Sequence, residues 1–581
     1  MHLVRSAEHP SMDPPVHSDR ISAQIHVPTF NPLRRSLGET SSTNKEDDVM
    51  GNSRTANAST SQPTFAAMSR LIVGNPYDVT SPESIKAWHE VEQQFARAKR
   101  RGVTAISTDV WWGLIEPSDG VFDFRYPDRL LQAIKSAGLK WVVILSMHQC
   151  GGNVGDGLND VPIPRHVWDI LANQTPSRQT SDVKYVSEFG NQSVEYVSCW
   201  ATDLALPLYE RMMRAFQKHY AGETETIVEV NVSLGPAGEL RHPSYNIHDF
   251  STKTGRVAYP TRGALQCYSA LALTSFRRFA IGKYGDLSGV RRAWSMDENT
   301  LPDIDAIRPP SDADYFFKMR HCENLQYGRD FIDWYTSSLW ASGEKILSKA
   351  IEVFGSAGSA FAGIDIGAKV SGIHWGMGHR VGNSVVLGSR QAELCAGLIQ
   401  TSQNDWDADR DGRGYRPLLS MFKRVQQKSS LSRLVVHFTC LEMDDGRDGV
   451  EAQSLARTLV RWFGKEAAHQ GIVVKGENAL AGTIYSKRAW KLMRSALKLP
   501  HTNGWFEGLT ILRVDDICES LPGEEFERTV RFAKHVSTRK STTQNEASAS
   551  EEIASILGGG GDSTAVPGGS SNLVQALAGA A

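Results

Sequence analysis

Apolar residues along the chain gather into short runs, and segments of helical period lie between them. The runs at 71–74, 103–112, 140–147, 227–234, 360–367, 433–440, 471–474 and 509–514 are rich in Val, Ile and Leu, as buried strands require. The stretches 84–101, 129–137, 208–219, 264–284, 327–354, 389–398, 450–468 and 487–497 repeat their apolar positions at helical spacing. Eight strands alternating with helices predict an α/β fold, a closed (β/α)8 TIM barrel. An open doubly wound sheet is the alternative, but Gly74-Asn75-Pro76 lacks the Gly-rich phosphate turn that would follow its first strand.

The pattern also sets boundaries. Residues 1–68 are rich in Ser, Thr, Asn, Pro and His with few periodic apolar positions, and read as a disordered N-terminal segment. Residues 69–536 form the barrel, and 537–581 are a low-complexity flexible tail rich in Ser, Thr, Gly and Ala. A (β/α)8 domain is typically about 250 residues, so the loops after strands must be enlarged, mainly after the third, fourth and fifth.

Charge and composition narrow the function. With 63 basic and 65 acidic residues the net charge is -2, which argues against a nucleic-acid or membrane-surface protein held by electrostatics. No window of about 18 apolar residues spans a membrane, and the first 20 residues lack the apolar core of a secretory signal. The expected location is intracellular, cytoplasmic or plastid. Seven cysteines without a C-x-x-C pair are reduced thiols rather than a disulfide framework or a zinc site. Asp407, Asp409 and Asp411 mimic the start of a calcium loop, but its twelfth position is Leu418, so no metal site is expected.

Chemistry collects where strands end. The stretch TIVEVNVSLGPAGEL, 226–240, runs as a strand, breaks at Gly235-Pro236 and presents Glu239. GIVVKGENAL, 471–480, repeats the design and presents Glu477 and Asn478. Two acids past two buried strands are the pair that hydrolysis of a glycosidic bond requires. A loop glutamate paired with Arg241 is the plain alternative for Glu239. The other strand ends supply Asp109, His148 with Asp156 in a glycine-rich loop, Lys369 and His374, Thr439, and Arg513. Trp111, Trp112 and Trp375 fall nearby, and such rings stack on sugar faces, although a tryptophan is more often core.

The segments TDVWWGLIEP, MHQCGGNVGD, VPIPRHVWD, LGPAGELRHPSY, KVSGIHW, DRDGRGYRPLLSMFKR, FTCLEM and GENAL, in that order, resemble the β-amylases of glycoside hydrolase family 14. The resemblance implies an inverting hydrolase of starch and maltooligosaccharides, releasing β-maltose from non-reducing ends without cofactor or metal. It implies Glu239 as general acid and Glu477 as general base. It assigns Asp109, His148, Asp156, Lys369, His374, Trp375, Thr439, Asn478 and Arg513 to substrate contact or its support. The GGNVGD loop resembles a lid and FTCLEM an inner loop that shifts on binding.

The chain also departs from the family. Gly376-Met377-Gly378-His379 stands where further aromatics are usual, Leu398-Ile399-Gln400 where tyrosines and an asparagine are expected, and Asp444 where many members carry arginine. These changes thin the outer contacts. They leave two rival expectations: a catalytically weak or silent glucan-sensing relative, and an inverting glycosidase with another sugar preference. Oligomeric state is not written in the sequence.

Overall fold

A computed structural model describes residues 63–538 apart from 72–77, 79, 152–159, 246–262, 383, 401–412, 430, 448–449, 480 and 500–501. Of the two units into which the chain divides, Met1–Thr60 lies outside the described residues, and Ser61–Ala581 carries the fold.

Eight strands, β1 (Thr64–Met68), β2 (Ala105–Trp111), β3 (Lys140–Ser146), β4 (Ile227–Val232), β5 (Asp365–Val370), β6 (Leu434–Phe438), β7 (Val473–Glu477) and β8 (Gly508–Ile511), close into a barrel. All neighbours pair parallel, and β1 closes the ring between β8 and β2. Each strand is followed by an outer helix: α1 (Pro82–Arg100), α2 (Arg125–Ser136), α3 (Thr202–His219), α4 (Gln326–Phe354), α5 (Arg416–Gln426), α6 (Ala456–Gln470), α7 (Lys487–Ala496) and α8 (Ser520–Thr538). The connections after β3, β4 and β5 are the long ones, and they hold most of the additional short helices and both hairpins.

Strand alternation divides the core in two. Phe65, Ala67, Ile106, Trp141 and Val143 point outward into the continuous layer between strands and helices. Ala66, Ala105 and Val142 face inward as a small apolar plug. Above the plug the interior is polar, which is where a barrel of this kind places its chemistry.

The first strand corrects the sequence reading. It is Thr64–Met68, not 71–74, and it lies inside the segment 1–68 that the composition marks as disordered. TFAAM is short and its two alanines carry no strand signal; only pairing on both sides makes it a strand. Leu71 is outside any strand, and 72–74 lie outside the described residues. The fifth strand sits at Asp365–Val370, several residues beyond the predicted 360–367. No helix among the described residues is long and apolar enough to cross a membrane.

Candidate active site at the carboxyl ends of the strands

Glu239 stands on the turn after β4, where Ala237 and Gly238 both take positive φ, 54° and 76°. Gly235 lets this turn fold tightly: a Cβ there would meet the Glu239 carbonyl at 2.4 Å. The turn then docks on β5, with the Leu240 amide donating to the Lys369 carbonyl at 2.8 Å. The Glu239 carboxylate is mostly buried, and its Oε2 accepts from Arg241 Nε at 2.8 Å, Ser371 Oγ at 2.7 Å and Tyr245 OH at 3.4 Å. The Arg241 guanidinium lies over the Tyr245 ring, 4.2 Å from its centre. So the pairing with Arg241 foreseen as the plain alternative exists, and it exists inside the site.

Glu477 closes β7. Its Oε2 receives Lys369 Nζ at 3.0 Å, and its Oε1 lies 3.4 Å from His437 Nδ1. Burial alone would raise this carboxyl, but the Lys369 and His437 charges outweigh it and bring it down to about 2. The two cations therefore favour the carboxylate form of Glu477. Lys369 is held charged in turn: burial pulls its pKa down, and Glu477, Asp109 and Glu239 more than reverse that. Lys369 thus stands between the two acids, bonded to one and bridged through its backbone to the other.

The remaining residues fall into groups. Asp109 accepts from Ser146 Oγ at 2.7 Å on the inner face of β2 and β3. His148 Nδ1 meets Ser233 Oγ at 2.6 Å, and its ring packs edge-on against Trp111. Burial, aided by the Lys369 and Arg241 charges, holds this imidazole at about 3, so it is neutral. Thr439 Oγ1 accepts from the Gly372 amide at 2.9 Å, tying the FTCLEM loop to the loop after β5. Asn478 Oδ1 accepts from the Leu512 amide at 2.8 Å, and Arg513 donates to the Leu512 carbonyl at 2.7 Å. These two brace the ends of β7 and β8. His374 Nδ1 meets Ser454 Oγ at 2.8 Å, and Trp375 packs edge-on against both His374 and Tyr245. Asp156 and most of the GGNVGD loop lie outside the described residues; the base of that loop is latched by paired backbone bonds between Cys150 and Val161. The aspartates at 407, 409 and 411 also lie outside them.

Three buried charged groups escaped the sequence reading. Glu229 on β4, His437 on β6 and Lys475 on β7 point into the barrel directly beneath Glu477. Each sits in a strand that opens on apolar residues, in IVEVNV, LVVHF and VVKGE. A charge in such a strand was the available signal, because charges are rarely fully buried unless paired. The departures acquire forms too. The glycine-rich segment after Trp375 enters a hairpin, Gly378–Val381 with Ser384–Leu387, and Asp444 pairs with Arg488 at 2.5 Å. Leu398 and Ile399 are core, and Gln400 bonds Asp333.

The family model "Glycosyl hydrolase family 14" matches residues 72–542. The chain belongs to glycosyl hydrolase family 14. It is 36% identical over 441 residues to the thermophilic β-amylase of Thermoanaerobacterium thermosulfurigenes, covering 75% of this chain and 70% of that one. A chloroplastic β-amylase 1 of Oryza sativa subsp. japonica is 33% identical over 402 residues, 67% of this chain and 66% of that protein. In three dimensions the catalytic domain of the Paenibacillus polymyxa β-amylase superposes with a TM-score of 0.64 at 30% identity, covering 81% of this chain and 98% of that one. This family 14 chain is therefore a glycoside hydrolase of the β-amylase type, built on the barrel that the strand pattern predicts.

Proposed function

We propose that the protein hydrolyses α-1,4-glucans such as starch and maltooligosaccharides from their non-reducing ends, inverting the anomeric centre and releasing β-maltose. The observation that carries the reading is the setting of Glu477: a buried carboxylate at the end of a barrel strand, 3.0 Å from Lys369 Nζ and 3.4 Å from His437 Nδ1, which favour the ionised form a general base needs. Glu239, on the far side of Lys369, is the proton donor.

In the reaction, water adds across the glycosidic bond. Glu477 takes a proton from the attacking water, whose oxygen bonds to the anomeric carbon. The bond from that carbon to the leaving oxygen breaks, and Glu239 protonates that oxygen. Attack from the face opposite the leaving group inverts the centre. Once Glu239 has given up its proton, Arg241, Ser371 and Tyr245 stand ready to stabilise the carboxylate that remains. Asp109, His148, Asp156, His374, Trp375 and Thr439 are assigned to the sugar chain, with Asn478 and Arg513 supporting the strand ends beneath it.

Proton NMR of fresh product from maltopentaose tests the reading. The expected first product is β-maltose, and α-maltose would overturn the inverting assignment. Glu239→Gln and Glu477→Gln are each expected to lower turnover on starch by about 10²–10⁴-fold while leaving the fold intact. Near-native turnover in either variant removes that residue from its role.

A further inference from the structure

Beneath the candidate base, Lys369 and His437 belong to a larger buried ionic layer whose remaining members, Glu229 and Lys475, the reaction as written does not use. Lys369, His437 and Lys475 are register partners on the adjacent strands β5, β6 and β7, so the three basic side chains share one row on the inner wall. Two buried carboxylates interleave with them. Glu229 on β4 takes His437 Nε2 on Oε1 at 2.5 Å and Lys475 Nζ on Oε2 at 2.5 Å, while Asn231 Nδ2 donates to the same Oε1 at 2.9 Å. Glu477 takes Lys369 on one oxygen and faces the other ring nitrogen of His437. The imidazole thus lies between two carboxylates, hydrogen-bonded to Glu229 through Nε2 and within ion-pair distance of Glu477 at Nδ1, which itself makes no hydrogen bond.

That geometry favours one protonation. A neutral imidazole donating to Glu229 through Nε2 would turn the bare lone pair of Nδ1 toward the Glu477 carboxylate, whereas an imidazolium places positive charge beside both carboxylates. Charge balance agrees. The groups facing the ring are Glu229 from β4, Lys369 and Asp365 from β5, and Lys475 and Glu477 from β7, with Asp109 of β2 acting on Lys369. Asp365 is paired with Arg433 beside Lys475, so without a charge on His437 the three cations Lys369, Lys475 and Arg433 would face the four carboxylates Glu229, Glu477, Asp365 and Asp109, and the imidazolium evens the count. Burial would pull His437 below its ordinary value, but Glu229 and Glu477 raise it above that value.

We infer that His437, held as an imidazolium by Glu229, is a positioning residue of the base: its charge sits beside the second oxygen of Glu477 and orients that carboxylate. The inference rests on the assignment of Glu477 as base. Glu229 and Lys475 act one step further back, since Glu229 keeps the ring charged and Lys475 keeps Glu229 ionised.

The test uses the full chain with His437→Gln and Glu229→Gln, assayed on maltopentaose across pH. The amide introduced by His437→Gln can still donate a hydrogen bond but carries no charge; Glu229→Gln removes the counter-ion of the ring. Both variants are expected to raise the acid limb of kcat by about one pH unit or more, because an opposite charge within hydrogen-bonding reach has been taken from Glu477. kcat is expected to fall about tenfold or more from a loosened base, with KM little changed. An unmoved acid limb, or a loss confined to KM, overturns the inference. Nitrogen-15 NMR of the histidine rings in the unsubstituted protein reads the same point without a variant. Both His437 nitrogens are expected to be protonated at pH 6, below the ordinary histidine value, and a single neutral tautomer there overturns it. Glu477→Gln separates the two proposals: undiminished turnover removes the base assignment, while the ring spectrum still reports on His437.

Discussion

At the scale of single residues, the space for the ionic layer depends on a missing side chain. Gly367, on β5, faces Asn231 and Glu229; a Cβ there would meet Asn231 Oδ1 at 1.9 Å and Glu229 Oε1 at 2.8 Å. Both are groups held by further buried bonds, so neither can withdraw without leaving a polar atom unpaired. Gly367→Ala is therefore expected to cost about 1–3 kcal/mol, the ordinary range for overpacking a filled interior. Thermal and denaturant unfolding check this, and an unchanged midpoint would show that the layer can shift to make room. The same residue explains why the layer was hard to read. Glu229, His437 and Lys475 are far apart in sequence, and only the barrel register, with its glycine gap, brings them into contact. The two acids at strand ends were legible, because each follows an apolar run and a glycine. What holds them was not.

Seven of the strands could be read from hydrophobic runs, since a buried parallel strand must be apolar on both faces. The eighth could not. Thr64–Met68 offers Phe65 and Met68 beside two alanines, and the more apolar LIV that follows drew the prediction past it. The strand exists because β8 and β2 would otherwise present open edges toward each other, and backbone bonds from both satisfy it. A truncation separates this reading from the one based on composition. Removing Met1–Thr60, a separate unit, is expected to preserve cooperative unfolding and turnover. Removing residues 1–69 deletes β1, opens the ring on two edges and is expected to abolish both. Circular dichroism melts and a starch assay of the two truncations give the answer, and a folded, active 70–581 chain would show that closure does not need this strand.

For the whole molecule, the buried charges link catalysis to stability through pH. The Glu477 carboxyl is held at about 2 and Glu229 is also held well below the ordinary carboxylate range, in each case because nearby cations overcome the effect of burial. In an unfolded chain both return to values near 4.5. Between those limits the unfolded state binds more protons than the folded one, so acid favours unfolding. Their contribution is complete above the unfolded value and is lost as pH falls toward 2. His437 has the opposite sign: raised by Glu229 and Glu477 against burial, it contributes fully below 6.5 and loses its contribution as pH climbs through its higher folded value. Stability is therefore expected to peak between these limits, in mildly acidic solution, and to fall on the alkaline side as the imidazolium deprotonates. The melting temperature, followed from pH 3 to pH 9, checks the profile. Glu229→Gln is the discriminating variant, since it removes one depressed carboxyl and the counter-ion of the ring together. Both flanks should flatten in that protein. An acid flank that stays as steep as in the native chain would place the acid sensitivity in other carboxylates, and an unchanged alkaline flank would mean that His437 carries no charge to lose.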